Sequence, residues 1–133
     1  GEGRTLNNIS QIYSAKGDYD RALEYLEQSL AISQEIGDRA GMIPTLHNMA
    51  HISLTNNNPQ KAVEKFQQAL EIAVEIRDAL GIFHVSSSLG RLLAGAGLKE
   101  QALGYLRQAV AIGEECGLPG TEQLQALIAQ LEE

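Results

Sequence analysis

With 133 residues, 44% of them hydrophobic, the chain is of single-domain size and can bury a sizeable core. Its apolar material is mostly Ala, Leu, Ile and Val, with 5% aromatics, no Trp and 3 prolines, a composition of good helix formers that points to an all-α fold. A formal charge of -7 with only 10 scattered Lys and Arg excludes a nucleic-acid partner, whose phosphates need clustered cations, and no apolar run reaches the roughly 18 residues of a membrane span.

The chain opens at Gly1, already inside a repeat and without a charged-then-apolar signal segment, so a cytoplasmic fragment of a longer array is expected. The first predicted helix covers 2–16, where Leu6, Ile9, Ile12 and Tyr13 recur at spacings of three and four. Gly17 can take the left-handed conformation that ends a helix, and Asp18 can cap a second helix over 19–36, whose apolar row is Leu23, Leu26 and Leu30. The pattern returns in helices over 41–56 and 59–76, with Asn57 and Asn58 at the turn and Pro59 at a first helical position. Pro44 sits in the first turn of its helix or kinks it. A third round covers 81–96 and 99–116, with Gly97 at its turn.

Three alignments set the repeat at 40 residues: Ala22, Ala62 and Ala102; Leu26, Phe66 and Leu106; Ile32, Ile72 and Ile112. Cys116 falls where the earlier repeats carry Ile36 and Ile76, so burial as a small hydrophobe in a reducing compartment is expected. Pro119-Gly120 then precede a seventh helix whose Leu124, Leu127, Ile128 and Leu131 form one apolar stripe, the pattern of a capping helix that closes an array.

These residues resemble the tetratricopeptide repeat, whose first helix carries a large apolar residue, Leu-Gly and Tyr, and whose second carries Ala, Phe and a small residue. The first repeat shows Leu6, Ile9-Ser10, Tyr13, Ala22, Leu26 and Ser29; the second Leu46, Met49-Ala50, Ser53, Ala62, Phe66 and Ala69. The third shows Ser86, Leu89-Gly90, Leu93, Ala102, Leu106 and Ala109. A 40-residue unit is similar to the subclass found in kinesin light chain and in spindle-orientation adaptors. The resemblance implies a right-handed α-solenoid of three helix-turn-helix units, over 1–40, 41–80 and 81–118, with a cap at 119–133. It also explains the small residues Ser10, Ala50, Gly90, Ala22, Ala62 and Ala102, where two helices approach closely and a larger side chain would overpack.

In that family the first helices of successive repeats line a concave groove. Carried over by the matched motif, the groove residues are Arg4, Asn7, Asn8, Gln11, His47, Asn48, His51, His84, Ser87, Ser88 and Arg91. The stretches 1–16, 41–56 and 81–96 hold only Glu2 among the 17 acids, together with all 3 histidines, so this wall is neutral to mildly basic despite the net charge. Local potential steers a partner, which makes a neutral to acidic protein or peptide the expected ligand. Protonation of the histidines predicts tighter capture of acidic peptides at acid than at alkaline pH.

Asn7, Asn8 and Asn48 resemble the asparagines with which related proteins hold an extended peptide backbone, since an amide both donates and accepts. The lysines of the family's carboxylate clamp are missing, which argues against chaperone C-termini. The alternative function is a structural spacer, or end-to-end self-association through a first helix whose apolar edge is exposed.

Catalytic patterns are incomplete. His47 and His51, four apart, could chelate a metal with His84, but no carboxylate or Cys accompanies them on the first helices. Ser86, Ser87 and Ser88 near His84 lack an orienting acid, and Gly90 and Gly95 open a phosphate loop that has no Lys. Asn8-Ile9-Ser10 fits a glycosylation triplet but lies mid-helix. The expectation is a non-enzyme without metal or cofactor.

Overall fold

The structure is a computed structural model that describes residues 2–133, with side chains from Thr5 onward. Among the described residues there are seven α-helices and no strand: α1 (Glu2–Ala15), α2 (Tyr19–Ile36), α3 (Arg39–Thr55), α4 (Pro59–Glu75), α5 (Ala79–Gly95), α6 (Lys99–Cys116) and α7 (Thr121–Glu132). They form an all-α arrangement of helix-turn-helix repeats. The chain divides into two units, Gly1–Ile72 and Ala73–Glu133.

One backbone device is used at every turn through α6. A residue with positive φ stands every 20 positions, at Gly17, Gly37, Asn57, Arg77, Gly97 and Gly117. The next residue donates its N–H to a carbonyl five positions back: Asp18 to Tyr13 at 2.9 Å, Asp38 to Ser33 at 2.8 Å, Asn58 to Ser53 at 2.8 Å and Leu98 to Leu93 at 2.9 Å. These bonds satisfy carbonyls that a helix end leaves unpaired. Glycine takes the left-handed conformation without penalty, whereas Arg77, at φ 59, bears a strain of about 1 kcal/mol.

The capping residues then set where each helix begins. Asp18 accepts from the Arg21 N–H at 3.3 Å, Asp38 from Gly41 at 2.9 Å, Asn58 from Lys61 at 3.3 Å and Asp78 from Gly81 at 3.0 Å. Because Asp38 and Asp78 act in this way, α3 and α5 start at Arg39 and Ala79, two residues before the starts expected at 41 and 81. Gly41 and Gly81 leave room for the cap, since a Cβ on either would strike the Asp38 or Asp78 carboxylate. Pro44 consequently lies in the second turn of α3, and the helix runs through it.

In the first unit, Ala22, Leu26, Leu46, Met49, Ala50 and Phe66 are each at most 1% exposed. The second unit is centred on Val85, Leu89, Ala102, Leu106, Ala109 and Leu124. Ser10, Ala22, Ala50, Ala62 and Ala102 are fully buried, and a Cβ on Gly90 would lie 2.7 Å from the Leu106 side chain, which is the close helix approach that the repeat pattern requires. The α7 helix packs on α6, burying Leu124 and half-burying Leu127, Ile128 and Leu131, while Arg107 pairs with Glu132 at 3.1 Å.

Cys116 departs from expectation. It is exposed, as are Ile36 (71%) and Ile76 (37%). This position falls at the end of each second helix, just before the left-handed residue, where the chain turns toward solvent. Shared apolar character at equivalent positions therefore did not mark core here.

Candidate functional site

Within the first unit, α2 packs against both α1 and α3, and residues of all three helices line an open cavity of about 410 Å³. From α1 come Asn7, Asn8 and Gln11; from α2 Ser29 and Ser33; and from the α3 side Asp38, Gly41, Pro44 and Asn48. A second cavity of about 320 Å³ is lined by Ser10, Gln11, Ser14 and Ala15 of α1 and by Asn48, His51 and Ile52 of α3. Gln11 and Asn48 belong to both, so the two adjoin as a trough along α1 and α3.

A chain of hydrogen bonds underlies this wall. The Asn7 amide donates to Thr45 Oγ1 at 3.4 Å, and Ser29 Oγ lies 3.5 Å from the same oxygen. Thr45 Oγ1 donates in turn to the Gly41 carbonyl at 3.2 Å. Ser29 and Thr45 are buried and Asn7 half-buried, so Asn7 is tied to the helices beneath it, whereas Asn8 and Gln11 are exposed and Asn48 half-buried. Arg4, the remaining candidate on α1, has its side chain outside the described residues.

The histidine pair of α3 leans on the core. The His47 and His51 rings lie 4.5 Å apart, and each meets buried Phe66 edge-on at 5.4 Å. Removal of water from His51 pushes its pKa below the ordinary 6.5. Its charging therefore begins at a lower pH than the sequence suggests, and it contributes less positive charge to the wall in mildly acid solution. Among the described residues, no three His, Cys, Asp or Glu side chains are grouped to hold a metal ion.

The remaining candidates lie on α5 in the second unit. His84 is exposed beside Phe83, ring centroids 5.5 Å apart, and Arg91 is exposed. Ser87 donates to its own helix, to the Phe83 carbonyl at 2.6 Å, and buried Ser86 donates to the Ile82 carbonyl. Ser88 is half-buried and also engaged. Hydroxyls committed to carbonyls of their own helix are not poised as nucleophiles.

Sequence reasoning missed Ser29 and Ser33 of α2, Asp38 at the α3 cap and Pro44 of α3, which line the trough, and Thr45 of α3, which bonds to Asn7. It placed the whole wall on first helices, and it counted that wall as nearly free of acids although Asp38 belongs to its rim. A usable signal was present. Ser29 is followed at the next repeat by Ala69, Ser33 by Ala73 and Thr45 by Val85, so hydroxyls stand in one repeat where the next is apolar.

A family model of the tetratricopeptide repeat matches residues 1–75 and again 42–115. No curated protein sequence matches significantly. Among solved structures, aspartyl phosphate phosphatase F from Bacillus subtilis superposes with a TM-score of 0.84 at 20% identity, over 97% of this chain and 34% of its own. BtubC from P. vanneervenii does so with a TM-score of 0.81 at 20% identity, over 98% of this chain and 56% of its own. A kinesin light chain with nearly identical TPR-like repeats from Podosopora anserina gives 0.76 at 23% identity, over 96% and 64%.

The chain thus spans less than two thirds of each of these proteins, and the likeness is one of fold. Among the described residues, no helix is long and apolar enough to cross a membrane. From the family match over most of its length, and from the repeat residues packed where the pattern requires them, the chain belongs to the tetratricopeptide repeat family.

Proposed function

We propose that the chain is a non-catalytic adaptor module that holds a neutral to acidic peptide or helical segment of another protein along its first helices. The supporting observation is the trough of the first unit, in which Asn7, Asn8, Gln11 and Asn48 offer side-chain amides along α1 and α3. A side-chain amide both donates and accepts, as an extended main chain does, and imposes little sequence demand. On α5, His84, Ser87, Ser88 and Arg91 are the candidates for the same role in the second unit. Work in the cytoplasm fits an exposed single thiol, Cys116, which stays reduced there.

The test is selection of binding peptides from a display library on the intact chain, followed by calorimetry with Asn8→Ala plus Asn48→Ala. Loss of two amide contacts of about 1 kcal/mol each weakens binding at least tenfold. Unchanged affinity for every selected peptide rejects the reading.

A second reading, self-association through α1, is favoured by one contrast: Ile12 is 55% exposed, while its counterpart Ile52 is 7% exposed. A second copy laid against α1 would cover Ile12 as Ile52 is covered. Light scattering over a range of concentrations decides, and a strict monomer throughout rejects it.

A further inference from the structure

We infer that the cavity among α1, α2 and α3 is a specificity pocket that receives one carboxamide side chain, Asn or Gln, from the bound peptide. The inference rests on the peptide-binding reading above and adds the chemistry of one anchor residue.

The first ground is that packing does not require the polar groups found there. Ser29, Ser33 and Thr45 are buried, and so are Ala69, Ala73 and Val85 at the equivalent positions one repeat later. The fold thus accepts Ala and Val at these places. Hydroxyls withdrawn from water are disfavoured unless something bonds them.

The second ground is Ser33. Ser29, Thr45 and Asn7 bond to one another, whereas the Ser33 hydroxyl, on a residue only 6% exposed that lines the cavity, makes no side-chain hydrogen bond among the described residues and stays open to the water of the cavity. A hydroxyl both donates and accepts, so an unpaired one beside an open cavity suits a ligand group that does both.

The lining then selects among side chains. Asp38 is the only charged residue among the described residues that line the cavity, and no cation does. A carboxylate or phosphate would meet Asp38 and acceptor oxygens without a countercharge. An aliphatic group would leave Ser33 and the amides unpaired, and an ammonium group, which only donates, could not accept the Ser33 proton. A carboxamide supplies a carbonyl for Ser33 and N–H donors for Asp38 and the amide oxygens of Asn8 or Asn48. Because the neighbouring cavity shares Gln11 and Asn48, a main chain lying along α1 and α3 passes the pocket mouth.

The test is nuclear magnetic resonance on the ¹⁵N-labelled intact chain, titrated at millimolar concentration with N-acetylglutamine methylamide and with its Leu, Lys and Glu counterparts. The glutamine probe shifts the Ser33 and Gly41 backbone amides and the Asn7 side-chain amide, and binds roughly tenfold more tightly than the other three, the ratio that about one net hydrogen bond supplies. Ser33→Ala removes that preference, and Ser29→Ala with Ser33→Ala and Thr45→Val turns it toward the leucine probe. The folding of these variants is protected by their use of the next repeat's own residues, and circular dichroism checks it.

Equal shifts from all four probes, preference for the lysine or glutamate probe, or an undiminished glutamine response in Ser33→Ala overturns the pocket. Failure of the groove reads differently: the glutamine probe still binds, while peptide affinity ignores Asn8→Ala plus Asn48→Ala.

Discussion

Consecutive repeats solve the same packing problem with different chemistry. Where the first repeat meets the second, Ser29, Ser33 and Thr45 fill buried positions; one period later Ala69, Ala73 and Val85 fill the equivalent ones, and both sets are at most 6% exposed. What the pairs share is size and branching, which is all that close helix approach demands. What differs is a set of hydroxyls, each of which costs about 1–3 kcal/mol when buried without a partner. That cost is avoided at Ser29 and Thr45, whose hydroxyls are hydrogen-bonded beneath the polar trough. A solenoid repeat therefore leaves a few buried positions chemically open, and these are where one repeat can be made unlike the next.

The caps show the same separation of shape from chemistry. Every turn from α1 to α6 uses a left-handed residue, but Asp18, Asp38, Asn58 and Asp78 add a side-chain bond that Leu98 cannot. The backbone turn is general, and the cap is an increment laid over it.

The hardest break is at the shared requirement. Ala62→Leu puts a large side chain into a fully buried contact and lowers stability by about 1–3 kcal/mol, read as a lower midpoint in chemical denaturation. A midpoint that does not move contradicts the close approach.

Next come the caps, where the contrast between turns can be inverted. Asp38→Ala or Asp78→Ala costs about 1 kcal/mol, while Leu98→Asp supplies the missing bond and raises stability by a similar or smaller amount. If Leu98→Asp destabilises as much as Asp38→Ala does, capping is not what separates these turns.

The polar set can be taken apart in steps. Thr45→Val removes the hydroxyl that Asn7 and Ser29 share and costs about 1 kcal/mol, and the double variant with Ser29→Ala costs less than the sum of the two single losses because both remove the same contact. Strictly additive losses in the double variant would mean that the three groups are not coupled.

The smallest effect is a pH dependence from His51. Its folded pKa lies below the ordinary 6.5, so the unfolded chain binds the proton more readily. The neutral ring's contribution is complete above pH 6.5 and is lost as pH falls through the folded value. His51→Gln flattens that part of the stability profile; an unchanged slope would place its source elsewhere.

The local part of the fold was legible because it depends on neighbours in sequence. Periodic apolar residues mark the helices, Gly17 and Gly97 mark ends, and small residues at Ala22, Ala62 and Ala102 mark the close contacts, all through interactions spanning a few residues or one repeat. α3 and α5 start two residues ahead of 41 and 81, since Asp38 and Asp78 cap them as Asp18 caps α2.

Cys116 shows the limit of alignment between repeats, since an apolar residue at a helix end follows the chain into solvent. By itself the sequence determined the repeat, the helices and the residues of first-helix faces, because hydrophobic periodicity and turn chemistry are local. Only the tertiary structure decided that Ser29, Ser33 and Asp38 join Asn7, Asn8 and Asn48 around one cavity, because that meeting depends on how three helices lie against one another.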